Sequence, residues 1–138
     1  KAENIIPNIS NVIKGKKKVF NIFGNNYPTK DGTCMRDYIH VIDLASSHVK
    51  SLFLIKKNVF KIINVGTGKP YSVKDMLNCF NKYLKKPITY NFSKRRVGDV
   101  AICYSNIKKQ QKILHFRPKY GLNEMVMSVI KSLNIKSK

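Results

Sequence analysis

An α/β fold is expected from three features of the sequence. A near-continuous apolar run, Phe60 to Val65, ends in Gly66 and Gly68 and precedes a segment with helical spacing from about Ser72 to Leu84, which together read as one βα unit. A strand that is apolar throughout needs neighbours on both faces, as strands of parallel sheets have. Elsewhere, segments with apolar residues at i, i+3 and i+4 alternate with short apolar runs of strand length.

Taken in order, Ile5, Ile6, Ile9, Val12 and Ile13 mark an amphipathic helix that Gly15 stops, with Pro7 in its first turn. Val19 to Phe23 reads as a short strand. The polar stretch from Gly24 to Thr33 is a loop, with turn signals at Asn26 to Pro28 and at Asp31–Gly32. Arg36 to Ile39 is a short extended piece. Val41, Leu44, Ala45, Val49 and Leu52 share one face of a helix expected from Ile42 to about Ile55. The helix after Gly68 opens with Ser72 and carries Asp75 three residues on, a capping-box pattern. A strand around Ile88 to Phe92, the loop Ser93 to Asp99, and helices near Ile107 to Leu114 and Leu122 to Leu133 complete the chain.

The 138 residues are one domain's worth of length, and 43% hydrophobic content with 16 Ile excludes a disordered charged tail. No run reaches the roughly 18–20 apolar residues needed to cross a bilayer, so a membrane span is not expected. Cys34, Cys79 and Cys103 are odd in number and lack C-x-x-C spacing, which argues against a disulfide framework or a zinc site and fits reduced thiols in the cytoplasm. His40, His48 and His115 have no metal-ligand spacing either. The chain opens with Lys1, not Met, and is expected to begin inside something longer.

There are 27 basic residues against 7 acidic ones, a net charge of +20 that would attract polyanions. However, 23 of the 27 are Lys, alongside 14 Asn and 16 Ile, so a compositional drift explains the charge. The groups Lys16–Lys18, Lys56–Lys57, Lys85–Lys86 and Lys108–Lys109 read as solvated element ends, and no specific nucleic-acid site is expected. In a chain that uses Lys by habit, the four Arg mark places where a planar fork of donors is needed: Arg36, Arg95, Arg96 and Arg117. Arg36 and the pair Arg95–Arg96, each in a loop at an element boundary, suit two guanidinium groups converging on one pyrophosphate. Gly66-x-Gly68-Lys69 is followed by Pro70, not by Ser or Thr, so it reads as an ordinary βα turn and not a phosphate loop. Asp37 and Asp43 are expected to pair locally with Lys or Arg or to cap a helix, Asp43 being placed for the helix dipole.

From Ile22 to Ala45, IFGNNYPTKDGTCMRDYIHVIDLA, the sequence resembles the UDP-glucose 4-epimerases of the extended short-chain dehydrogenase/reductase superfamily over 24 positions. The likeness continues through Asn4-Ile5-Ile6-Pro7, Asn64 to Gly68, and Arg95-Arg96-Val97-Gly98-Asp99, where Val97 replaces a usual acid. It implies that this is the later, UDP-sugar-binding part of such an enzyme, with a βα unit that completes a Rossmann sheet. The resemblance also implies a preceding doubly wound domain that binds NAD and supplies a Ser/Thr and a Y-x-x-x-K pair. Neither the G-x-x-G-x-x-G fingerprint nor that pair is expected here, so the chain alone should be inactive, with no catalytic, cofactor-binding or metal-binding residue of its own.

By the same resemblance, Asn4 and the backbone of Ile5 meet the phosphate side of UDP, and Asn21 and Phe23 lie beside uracil. Arg36 and Arg96 clamp the pyrophosphate, Asp99 accepts from a ribose hydroxyl, and Cys103 lies near the hexose. Cys in place of a Tyr there would leave room for a 2-acetamido group. The full enzyme is implied to be a homodimer that interconverts UDP-glucose and UDP-galactose through transient oxidation at C4, and is expected to accept their N-acetylated counterparts as well. A UDP-pentose epimerase, a UDP-glucuronate decarboxylase and a basic polyanion-binding remnant are the alternatives. The YPTKDGT loop favours the hexose epimerase, and the lack of aromatics interleaved with the Lys groups disfavours the remnant.

Overall fold

The computed structural model of the chain describes residues 4–55 and 60–135. Lys1 and the group Lys56–Lys57 lie outside the described residues. The chain opens with α1 (Ile5–Ile13), in which Ile9 is fully buried and Pro7 sits in the first turn, where a missing N–H is harmless. Gly15, at φ 71°, takes the left-handed conformation that ends the helix. Strand β1 (Phe20–Phe23) alternates as a half-buried strand should, with Phe20 and Ile22 inside and Asn21 outside. After the loop come β2 (Met35–Asp37) and α2 (Val41–Leu52).

The second half contains β3 (Pro70–Ser72), α3 (Val73–Tyr83), β4 (Tyr90–Ser93), β5 (Ile102–Cys103), α4 (Lys108–Leu114) and α5 (Leu122–Ser132). The capping box of α3 is formed, the Ser72 hydroxyl accepting from Asp75 N and the Asp75 carboxylate from Ser72 N. β1 pairs in parallel with β4, Phe20 opposite Tyr90 and Phe23 opposite Ser93. In the other sheet β2 is central, antiparallel to β3 and parallel to β5. The main core lies between α1, β1, α3 and α5, where Ile9, Ile22, Met76, Leu77, Phe80, Val126 and Ile130 are all but inaccessible.

Three sequence expectations are corrected. Phe60 to Val65 is not a strand: it pairs with no strand among the described residues, and Phe60 and Ile62 are 88% and 67% exposed. A strand exists only with a partner, however apolar its residues. The apolar stripe of α2 does not face this core, since Val41, Val49 and Leu52 are exposed and the buried residues of the helix are Asp43 and Ser47. Finally, β3 and β5, three and two residues long, were not anticipated; strands this short carry no periodicity to read.

The acidic residues also differ from expectation. Asp43 does sit in the first turn of α2, but its carboxylate accepts from Lys119 N at 3.1 Å and Tyr120 N at 3.0 Å. Among the described residues no cation pairs with it; it satisfies the backbone donors of the segment between α4 and α5 instead. His40 completes this joint, its Nδ1 accepting from Ile42 N as an N-cap while its ring lies 4.5 Å from that of Tyr120.

Candidate functional site

A cleft of about 910 Å³ opens between the start of α1, strand β1, strand β2 and the loop before β5. It has the size of a site for a drug-sized or nucleotide-sized ligand. Seven of the eight sequence-chosen residues line it: Asn4, Ile5, Asn21, Phe23, Arg36, Arg96 and Asp99. Cys103 is not among the lining residues; it is exposed on β5, in register with Arg36 on β2.

Each wall contributes a different chemistry. The first turn of α1 lines the cleft; it contains no acidic residue, and among the described residues Asn4 makes no side-chain cap hydrogen bond, so the helix turns its positive end toward the cleft. Opposite it, the Arg36 Nη1 group donates to Met35 O and Val100 O, both at 2.8 Å, and Nη2 donates to the Asp99 carboxylate at 3.2 Å. These bonds tie the guanidinium to β2 and to the loop before β5 and take three of its five N–H donors. Arg96 lies over the Phe23 ring, its guanidinium carbon 3.9 Å from the ring centroid, which keeps the exposed side chain at the cleft edge.

Arg95 is separated from this group. Its guanidinium lies 4.1 Å over the Tyr27 ring and bonds to the Asn26 side chain and carbonyl, so it holds the loop after β1 and does not converge with Arg36.

Cys34 and Tyr38 also line the cleft, and sequence reasoning missed both. The signal was available, because residues 34, 36 and 38 alternate along an extended segment and so share the face that Arg36 presents. Burial pushes the Tyr38 phenol up to about 12, with the nearby Arg36 only partly opposing it, so Tyr38 stays a neutral hydroxyl. Burial likewise raises the Cys34 thiol, which leaves it unreactive as a nucleophile.

The Gly66–Gly68 turn is occupied from within the chain. Thr67 N and Gly68 N donate to the Asp37 carboxylate at 2.9 and 3.0 Å, the Thr67 hydroxyl joins them, and Ser105 N donates at 3.1 Å. The expectation that Asp37 pairs with Lys or Arg is thus corrected. The N–H groups of Gly66, Thr67, Gly68 and Lys69 are all taken up within the chain, so this turn has none to spare for a dinucleotide pyrophosphate. The spacing Y-x-x-x-K does occur, at Tyr90–Lys94 and Tyr104–Lys108, contrary to the sequence reading. The first runs along β4 and out of it and the second crosses into the start of α4, so neither pair shares a helix face. Among the described residues, no three His, Cys, Asp or Glu side chains gather into a metal-binding group, and no helix is long and apolar enough to cross a membrane.

The α/β fold that carries this cleft matches solved epimerase structures of the extended short-chain dehydrogenase/reductase type. More particularly, the chain belongs to the GDP-mannose 4,6 dehydratase family, whose profile matches residues 1–129. It is 44% identical over 123 residues to the UDP-glucose 4-epimerase of Bacillus subtilis, covering 88% of this chain and 36% of that protein. Among solved structures, the Bifidobacterium longum UDP-glucose 4-epimerase in complex with NAD+ and UDP superposes with a TM-score of 0.86 at 37% identity, over 92% of this chain and 38% of that one. The UDP-Glc/GlcNAc 4-epimerase of Campylobacter jejuni gives 0.84 at 33% identity, over 97% and 41%. The chain thus spans little more than a third of the length of the curated relatives it matches.

Proposed function

We propose that this chain is the nucleotide-sugar-binding part of a UDP-hexose 4-epimerase, and that its cleft holds the UDP half of the substrate. The observation that carries the reading is the convergence of Asn4, Ile5, Asn21, Phe23, Arg36, Arg96 and Asp99 on one cleft from segments up to 95 positions apart (99 − 4). In this reading the α1 N-terminus, Arg36 and Arg96 bind the pyrophosphate, β1 lies along the uracil and Asp99 accepts from the ribose. A hexose that is oxidised and reduced at one carbon has to turn over between the two steps. The free energy of binding therefore belongs on the nucleotide, where this cleft concentrates its donors.

NAD, the hydride acceptor in this reading, is held by a doubly wound domain of the same enzyme, which works as a homodimer. The uncovered residues Val41, Val49, Leu52, Phe60 and Ile62 are placed to pack against that domain, and the 60–65 segment to join its sheet. Cys103, beside Arg36 in register, is the residue proposed to admit 2-acetamido sugars.

Titration calorimetry with UDP tests the binding role. UDP is expected to bind, and Arg36→Lys to weaken it by about tenfold through loss of the planar fork. Binding to duplex DNA that falls steeply with salt, with none to UDP, would establish the polyanion-binding alternative instead. For the sugar, Cys103→Tyr in the complete enzyme is expected to reduce turnover of UDP-N-acetylglucosamine while sparing UDP-galactose. Equal loss of both removes Cys103 from selectivity.

A further inference from the structure

We propose that Asp37 is a positioning residue: its carboxylate fills the anion-binding nest of the Gly66–Gly68 turn and thereby sets the register of the segment that carries Asp99 and Cys103 against Arg36. The inference rests on the nucleotide-binding reading of the cleft but concerns a residue outside it.

Successive strand residues point to opposite faces, so Arg36 and Asp37 act on opposite sides of β2. On the cleft side Arg36 grips the entry to β5 through Val100 O and the Asp99 carboxylate. On the far side Asp37 grips its exit through Ser105 N, two residues past Cys103. β5 itself is only Ile102–Cys103, too short to fix its own register through two residue pairs. The two side chains therefore hold the segment from 99 to 105 at both ends.

The nest is built to receive a carboxylate. Four donors converge on Asp37, three of them backbone N–H groups. The backbone of Gly66 is held in turn by the fully buried Gln110, whose Oε1 accepts from Gly66 N and whose Nε2 donates to Gly66 O. A Cβ on Gly66 would stand 2.4 Å from Asp37 Oδ2 and from Ser105 Oγ, so a side chain at 66 would prise the joint apart. At the facing position of β3, Pro70 brings no N–H of its own to β2.

The test uses the complete enzyme with Asp37→Ala and Asp37→Asn, reading UDP affinity and melting temperature in sodium formate against sodium chloride of equal ionic strength. Asp37→Ala is expected to weaken UDP by about tenfold, the order of one charge-assisted hydrogen bond, and to regain most of the affinity and melting temperature in formate alone. Asp37→Asn, whose amide turns a donor toward donors, is expected to fall with the alanine variant. A folded Asp37→Ala that binds UDP like the wild type, or a loss that formate does not restore, overturns the proposal. If the alanine variant does not fold, the isosteric Asp37→Asn decides, and wild-type affinity in it overturns the proposal. Should the wild type not bind UDP, the nucleotide reading fails, while formate-specific recovery of the melting temperature in Asp37→Ala still decides whether the nest holds an anion.

Discussion

Helices α2 and α3 have similar length and comparable apolar stripes, yet they are packed in opposite ways. α3 turns Met76, Leu77, Cys79 and Phe80 into the core and shows its polar face to water. α2 buries Asp43 and Ser47 and leaves Val41, Ile42, Val49 and Leu52 between 52% and 70% exposed. The contrast teaches that an apolar stripe read from sequence does not tell what it packs against: that of α3 meets this core, and that of α2 does not. What fixes α2 to this chain is polar: Asp43 bonded to the backbone of Lys119 and Tyr120, and His40 against Tyr120.

The largest effect that would break this comparison is expected at Phe80, which has no exposed surface. Phe80→Ala should cost about 3–5 kcal/mol in urea unfolding of the chain, through lost transfer energy and a cavity. Asp43→Ala should cost about 1–3 kcal/mol by stranding two backbone donors, and the joint between α2 and the start of α5 should lose hydrogen-exchange protection first.

Acid provides a third probe of the same contrast. Burial raises the carboxyls of Asp31, Asp37 and Asp75, but hydrogen bonds from Ser72 and Thr33, from Thr67, Ser105 and Gly68, and from Lys30 and Ser72 respectively outweigh it and hold all three below the ordinary range. Each therefore ionises at lower pH folded than unfolded. Their stabilisation is complete above the unfolded value of about 4 and is lost as pH falls through the folded values. Asp37→Asn should flatten that acid limb in a melting series from pH 6 down to about pH 2.

The smallest effect is expected on the stripe of α2. Leu52→Ser in this chain should change stability by less than about 0.5 kcal/mol. The same substitution in the longer protein proposed above should cost clearly more, and equality of the two would show that nothing covers the stripe.

The sequence disclosed the helices well because each carries its own periodicity and end signals: the Ser72–Asp75 box and the Ile5 to Ile13 spacing are local facts. Strand β1 was legible for the same reason. The run from Phe60 to Val65 misled because pairing is a property of two segments, and composition describes one. Arg36 and Arg96 stood out through Arg scarcity and through the resemblance over Ile22 to Ala45 and over Arg95 to Asp99, and both line the cleft. Asp37 was misread because its partners are backbone N–H groups from residues 67, 68 and 105, which leave no trace in residue type. Cys34 and Tyr38 were overlooked although they flank Arg36 at strand spacing.

The parallel pairing of β1 with β4 joins Phe20 to Tyr90, 70 positions along the chain (90 − 20). No turn can nucleate such a pair, and the entropy of closing so long a loop is spent before its hydrogen bonds form. The helices, whose contacts are local, form on a much shorter timescale than this ladder. Because β1 also lines the cleft, the cleft is expected to take shape late in folding, after most of the helical signal has developed. A refolding chain should thus pass through a stage rich in helix in which the cleft is not yet formed.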